Sequence, residues 1–450
     1  MGKNICKNVL RKSLHWNFLC RENQHRQFFE KIELLQLKLT GVILCFLSFN
    51  IVSEAQVDTT QLSLDAILVR MDTSYPALLQ FNQKLNAISS RADGSRSWMP
   101  PTVSVGMNNF GYKPSMWGDQ SPMNRAGIMI SVEQMFPNPL KQDAKYNAIK
   151  SLSAPLQYDS AWLKNNLRSK AKYFYYEKYI AEKKLDVLTQ SEELLDMLIG
   201  IAENRYAVNQ SDLSTVFKAK ARRAELTNME AMLNARMDES DIGLNTLMNR
   251  DISTKFNIDK TIKPVNYIIP FAYDSLSNRS DIKAMDAEIF SMRQQQTYMK
   301  TETKPEFGLQ VSHMQMLGMP SQFSVMGMMV FPIAPWSSGM YKSDIVAMDY
   351  EIKSMQLEKE NMQLMARQMT GEKYTMLKYE TIQLNNYDSL IIPAYQNNYD
   401  AAFLAYKNNT GNFFVLLDAW DMLLMKKMES LDQLNKVLLL QAQYEYELEK

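Results

Sequence analysis

Two short windows of the chain, 94–139 and 305–339, punctuate long stretches that carry a different rhythm, and this contrast limits the fold more than any other feature. In the first window Val103, Val105 and Met107 alternate with Ser104, Gly106 and Asn108, and Ile128, Ile130 and Val132 resume the pattern beyond a polar loop. In the second, Phe307, Leu309 and Val311 alternate with Gly308, Gln310 and Ser312, and Phe323 and Val325 flank Ser324. A period of two sends alternate side chains to opposite sides of a strand, so each window predicts a hairpin of two strands with one apolar face, over about 102–136 and about 305–332. Glycine and proline cluster in the same windows, which excludes long helices there.

Elsewhere the period is helical. Leu195, Leu198, Ile199, Ala202 and Tyr206 step by threes and fours, as do Trp420, Leu424, Met428, Leu431, Leu434 and Leu438. From Leu140 to Asn209 and from Tyr341 to Asn409 there is room for ~100 Å of helix, interrupted by proline once in each run, at Pro155 and Pro393, where a kink or break is expected. Helices of that length predict a coiled-coil-like rod. The halves also overlay. "FPNP" (136–139) matches "FPIAP" (331–335), and Tyr206, Asn209 and Ala219 match Tyr406, Asn409 and Ala419, each about 200 residues apart. We therefore read an internal duplication: a first repeat over 56–250 with a tip at about 207–213, a linker or equatorial segment over 251–280, and a second repeat over 281–450 with a tip at about 407–413.

The first 55 residues differ from the rest. A basic stretch leads into "GVILCFLSFNIV" (41–52) and then Ser53-Glu54-Ala55, the pattern of a secretory signal cleaved before Gln56. All three cysteines, Cys6, Cys20 and Cys45, lie in this segment, so the exported chain has no disulfide and no cysteine-based zinc site. Its one histidine, His313, sits in a predicted strand, and nothing resembles a Ser/His/Asp or Cys/His constellation. The sequence is read as a non-enzyme without a cofactor. With 50 basic and 49 acidic residues in the whole chain, no global field attracts nucleic acid.

Four exported strands with an apolar face pose a physical problem. An open sheet in lipid leaves unsatisfied edges, so the strands must close into a barrel, and four are too few. The chain is expected to oligomerise and share one. Here the residues resemble the TolC-like outer-membrane efflux ducts. "LSLDAILVRMDTSYPALLQFNQKL" (62–85) is similar to their opening helix pair, and "IIPAYQNNYDAAFLAYKNNTGNFFVLLDA" (391–419) to their second tip. The resemblance covers essentially all of 56–450. It implies a mainly α membrane protein in which long antiparallel helical hairpins form a periplasmic α-barrel and two β-hairpins per chain build a trimeric twelve-stranded β-barrel in outer-membrane lipid. It also implies passive conduction, with a periplasmic adaptor and an inner-membrane RND-type pump as partners.

Acidic rings inside the tip gate the ducts of that family. Asp418, in "LLDA", matches the most recognisable position; a second acid expected one turn earlier is Val415 here, and Asp421 is the candidate replacement. Acids near a helix N-terminus are equally explained by the helix dipole. "PIAPWSSGMYKS" (332–343), with the methionine-rich strands before it, resembles the heavy-metal (CusC-like) branch of Bacteroidetes type. Met314, Met316, Met319, Met326, Met328 and Met329, beside His313, are candidate soft-metal contacts for Cu(I) or Ag(I), since thioether sulfur is a soft ligand. The chain has 32 methionines, however, and methionine is also a flexible apolar filler. Strand alternation is expected to split the group between two faces. A drug or bile-salt duct of the same fold, and a coiled-coil envelope or adaptor protein, are the alternatives. Trp98, Phe110, Tyr112, Trp117, Phe136, Phe331 and Trp336 are read either as interfacial girdles or as packing at the junction with the helices.

Overall fold

A computed structural model describes residues 58–117, 125–208, 212–260, 262–265, 267, 273–332 and 334–450. The signal segment expected over 1–55 and the centre of the first tip, including Asn209, lie outside the described residues. Each repeat carries helix ahead of its strand hairpin. In the first, strand β1 (Asp58–Leu62) leads to α1 (Leu64–Ser74) and α2 (Pro76–Gly94), the helix pair broken at Tyr75-Pro76; Ser63 caps α1 by accepting from the Ala66 N–H. Strands β2 (Thr102–Asn108) and β3 (Gly127–Phe136) follow, then α3 (Pro139–Ser151), α4 (Ser153–Ala207) and α5 (Leu213–Leu247). Strand β4 (Phe256–Ile258) pairs with β1 in parallel. The second repeat runs α6 (Ser280–Thr301), β5 (Glu306–Met316), β6 (Gln322–Val330), α7 (Pro335–Asn386), α8 (Ile392–Lys407) and α9 (Phe413–Leu448).

The matched prolines have matched roles. Pro139 and Pro335 each open the helix that follows a strand hairpin, at the position where a missing N–H costs nothing. The expected interruptions also appear. Leu152 separates α3 from the 55-residue α4, whose first turn holds Pro155. In the second repeat a π turn (Tyr387–Ile391) separates α7 from α8, with the Ile392 N–H reaching back five residues to the Tyr387 carbonyl. Pro393 cannot donate a helical bond, and the extra residue of the π turn takes up that irregularity just upstream. From Pro335 to Lys407 the helical run extends ~110 Å.

The duplication is visible in backbone geometry as well. Asn249 and Glu449, about 200 residues apart, follow α5 and α9 with φ of 52° and 53°. Arg250 N–H bonds the Asn245 carbonyl at 3.0 Å, and Lys450 N–H bonds the Glu445 carbonyl at 3.0 Å. Both return helices thus end in the same left-handed cap.

The four long strands form one antiparallel sheet in the order β2-β3-β5-β6, so the two hairpins are zipped together through β3 and β5. The register defines its faces. One carries the rows Val103–Val132–Val311–Val325 and Val105–Ile130–His313–Phe323, nearly all exposed. The other carries Ser104–Ser131–Ser312–Ser324 and Thr102–Glu133–Gln310–Met326. β2 and β6 are the sheet's edges.

Helix packing follows a seven-residue spacing of buried positions: Ala181, Leu188, Leu195 and Ala202 in α4, Ala219, Leu226 and Leu233 in α5, Leu416 and Leu423 in α9. Such a period keeps one seam facing its partner over many turns. Midway along the helices, Phe256 and Ile258 bury against Tyr175, Tyr176, Leu244 and Leu438. Lys178 is buried there, donating to Asp241 Oδ1 at 2.5 Å and to the Phe256 carbonyl at 2.6 Å, which ties β4 to both long helices of the first repeat. The start of the second repeat is pinned to the chain end. Arg279 donates to Glu447 at 2.5 Å and to Asp281 at 2.8 Å, while Glu449 accepts from the Ser280 N–H and hydroxyl. Among the described residues no helix is long and apolar enough to cross a membrane.

Candidate functional site

The second tip is a five-residue turn. Asn408 ends α8, Asn409 takes a left-handed φ of 59°, and the Thr410 and Gly411 N–H groups both bond the Ala405 carbonyl at 3.0 Å. Asn412 then caps α9, its Oδ1 accepting from the Phe414 N–H at 2.9 Å. Gly411 is required by space: a Cβ there would lie 2.9 Å from the Tyr406 nitrogen and 3.0 Å from the Ala405 carbonyl carbon. Tyr406 packs edge-on against Phe413 across the turn. Arg205, in the last turn of α4, lies 4.0 Å over the Tyr406 ring and donates to the Tyr406 carbonyl at 3.0 Å. The first tip is thereby fastened to the second.

Just inside this turn α9 has a buried face (Phe413, Leu416, Leu417, Trp420, Leu423, Leu424) and an exposed stripe of Val415, Asp418, Met422 and Met425. Asp418 is the single charge on that stripe, and among the described residues it has no ion pair. Asp421 turns the other way. Its carboxylate pairs with Arg222 of α5, which also binds Glu225. Hydrogen bonding to Glu225, with the attraction of Asp421, raises the Arg222 guanidinium above its ordinary pKa. The two candidate gate acids are therefore not brought together: one is free on the exposed stripe, the other joins two return helices.

The candidate soft-metal residues also separate. Met314, Met316, Met326 and Met328 share the polar face of the sheet; Met329 and His313 lie on the apolar face, His313 between Ile130 and Phe323; Met319 lies in the β5–β6 turn. Among the described residues no three His, Cys, Asp or Glu side chains converge on a metal-sized point. Aromatic pairs mark both ends of the sheet. Trp98 meets Phe136 edge-on at the helix end, and Phe110 meets Trp117 at the turn end, where Trp117 Nε1 donates to the Gly111 carbonyl at 2.7 Å. Tyr112 and Trp336 are exposed.

Sequence reasoning missed Arg205 and Arg222, each about 200 residues from its partner, a separation no local motif covers. A usable signal was present. Under the repeat offset Arg222 maps onto Met422, one residue from Asp421, so the two sit at adjacent levels of equivalent helices.

No protein-family model and no curated protein matches the sequence. Solved structures do match its fold. The chain is similar to CusC, a transmembrane channel protein, with a TM-score of 0.71, 11% identity and coverage of 89% of this chain and 95% of that one. It is similar to the outer-membrane protein VceC of Vibrio cholerae (TM-score 0.69, 14% identity, 86% and 95% covered). The Campylobacter jejuni outer-membrane channel CmeC gives a TM-score of 0.70 at 14% identity, with 86% and 85% covered. The fold is that of the TolC-like outer-membrane channels.

Proposed function

We propose that the chain is one protomer of a homotrimeric outer-membrane channel, the passive exit duct of a tripartite efflux system fed by a periplasmic adaptor and an inner-membrane RND-type pump. The observation that carries this reading is the sheet: an apolar face left uncovered, two open edges, and ~100 Å of paired helix hanging from one end. Lipid can cover the apolar face only if the edges close. Two copies would supply eight strands, whose interior side chains fill; three supply twelve and leave a lumen. An exposed apolar stripe on α7, Tyr350, Leu357 and Leu364 at seven-residue spacing, supports a neighbouring copy packed along the helices.

Conduction in such a duct is downhill, and the helical tips form its constriction. Three copies of Asp418 would ring that constriction and favour cations. The cargo we favour is heavy-metal cations such as Cu(I) or Ag(I), in keeping with the methionines of the polar sheet face. The test is a deletion strain challenged with copper, silver, bile salts and dyes, with membrane fractionation of the protein alongside. Sensitivity to the metals alone, restored by the gene, is expected. Sensitivity to organic compounds with normal metal tolerance would keep the duct and remove the metal cargo. Release from the outer membrane without detergent would overturn the channel itself and favour a soluble stalk or adaptor.

A further inference from the structure

The methionines of the sheet are not distributed evenly between its faces. Met129, Met135, Met314, Met316, Met326 and Met328 occupy the polar face, and only Met107 and Met329 the apolar one. This is the reverse of what apolar filling dictates, since a filler belongs on the face that meets lipid or a core. On the polar face these residues alternate with Ser104, Ser131, Ser312, Ser324 and Gln310.

They also fall into two groups. Toward the helix end the row Met135–Gly308–Met328 brings two thioethers over one glycine: a Cβ on Gly308 would collide with Met135 Sδ and lie 3.3 Å from Met328 Cε. Met326 is two residues along β6, on the same face. Toward the turn end Met129 lies directly opposite Met314, with Gly106 on its other side, and Met316 follows two residues along β5, opposite Gly127. Direct neighbours across a sheet have Cβ atoms ~5 Å apart, and methionine's flexible chain lets their sulfurs converge. The serine row, with Ser312 and Ser324 hydroxyls 2.6 Å apart, lies between the groups. Met129 and Met135 are separated by ~20 Å of strand.

We infer that the polar face of the sheet carries two thioether stations for a soft monovalent d10 cation, a lower one of Met135, Met326 and Met328 and an upper one of Met129, Met314 and Met316. This rests on the channel reading for the assignment of that face to the lumen, and it specifies the side chains a soft-metal cargo would meet there. Thioethers suit Cu(I) and Ag(I), whereas Zn(II) takes imidazole, thiolate and carboxylate ligands, and the carboxylates of this face, Glu133 and Glu306, are left unchanged by methionine substitution. Paired stations let a cation pass from one to the other instead of being held at a single tight site.

The test uses full-length protein purified in detergent, equilibrium dialysis against Ag(I) or Zn(II), and metal counted per chain. Methionine to leucine keeps volume and apolarity, so the fold is retained. Wild type is expected to bind about two Ag(I) more per chain than the sextuple Met→Leu variant, and each triple variant about one fewer than wild type. M107L/M329L should match wild type, and Zn(II) binding should be the same in all. If the sextuple variant binds as much Ag(I) as wild type, or M107L/M329L loses as much, the stations are overturned. The same preparations are placed in planar bilayers. Channels with station-independent Ag(I) binding would sink the stations and leave the duct standing. Methionine-dependent Ag(I) binding by a wild-type protein that forms no channels would keep the stations and sink the duct.

Discussion

Gly411→Ala tests the tip turn directly. The added Cβ would meet the Tyr406 nitrogen at 2.9 Å and the Ala405 carbonyl carbon at 3.0 Å, atoms of the backbone that cannot swing away as a side chain tip would. Relief requires the turn to move by a few tenths of an ångström away from Ala405, whose carbonyl accepts both the Thr410 and Gly411 amides. Overpacking of this kind costs ~1–3 kcal/mol. Since ~1.4 kcal/mol is tenfold in an equilibrium, a loss of ~2 kcal/mol speeds hydrogen exchange of residues 410 and 411 by roughly 30-fold if they exchange through local opening. Gly200→Ala is the control of opposite sign: nothing lies within 4 Å of its Cβ position, about two turns before the end of α4, so it should stabilise that helix by ~1 kcal/mol and slow exchange nearby. Because Arg205 grips Tyr406, a displaced turn should also quicken exchange in the last turn of α4. Exchange at 410 and 411 within about threefold of wild type in Gly411→Ala would show that the turn absorbs the methyl and that the steric reasoning is wrong.

Arg222→Ala removes the ion pair between the return helices. A partly exposed pair contributes ~0.2–1 kcal/mol, and in the proposed trimer three copies acting together should raise open probability in planar bilayers severalfold; a change no larger than in Glu225→Ala would exclude Asp421 from gating. Asp418→Ala should weaken cation preference and leave a leakier closed pore, and an unchanged reversal potential would remove it from the constriction. Lys178→Met leaves buried Asp241 with only the half-exposed Lys255, 3.6 Å away, as its partner and should cost ~3 kcal/mol, read as a lower urea midpoint, whereas the double variant with Asp241→Leu should recover most of it. Burial raises the Glu182 carboxyl above its ordinary pKa, against the pull of Lys178 and Lys260. Its ionised form therefore costs stability above that raised value, and the cost vanishes below the ordinary carboxylate range. Glu182→Gln should stabilise at neutral pH and be silent in acid, so equal stabilisation at both would refute the desolvation argument.

The sheet was legible because alternation is a strong signal: the strands β2, β3, β5 and β6 all fall inside the windows that Val103–Met107, Ile128–Val132, Phe307–Val311 and Phe323–Val325 marked out. The helix breaks were legible through Pro155 and Pro393, although the first break sits at Leu152, because a proline is best tolerated inside the first turn rather than at the discontinuity itself. Short elements were not legible. β1 reads "DTTQL" and β4 "FNI", too brief and too polar to declare a parallel pair whose stability comes from Tyr175, Tyr176 and Lys178 beneath it. The candidate gate was half legible. Local sequence located Asp418 and Asp421 near a helix start, but whether each faces solvent or a partner depends on Arg222, which lies on another helix.

Register is where the duplication acquires a consequence. Ten consecutive residue pairs join β3 to β5, and these pairs are what make two separate hairpins one surface. In this register four serines, Ser104, Ser131, Ser312 and Ser324, align across all four strands, with apolar rows on the reverse face and methionines above and below. A one-residue slip would send every side chain of a strand to the other face, placing Gln310, Ser312 and Met314 among Val132 and Ile130. In the channel proposed above, lipid would then meet serine and glutamine, and the lumen would meet valine and phenylalanine. One residue inserted within β5 should therefore abolish membrane assembly. The same residue inserted in the β5–β6 turn beside Gly318, outside the paired positions, should be tolerated. Equal assembly of both insertions would mean that face chemistry does not hold the sheet in register.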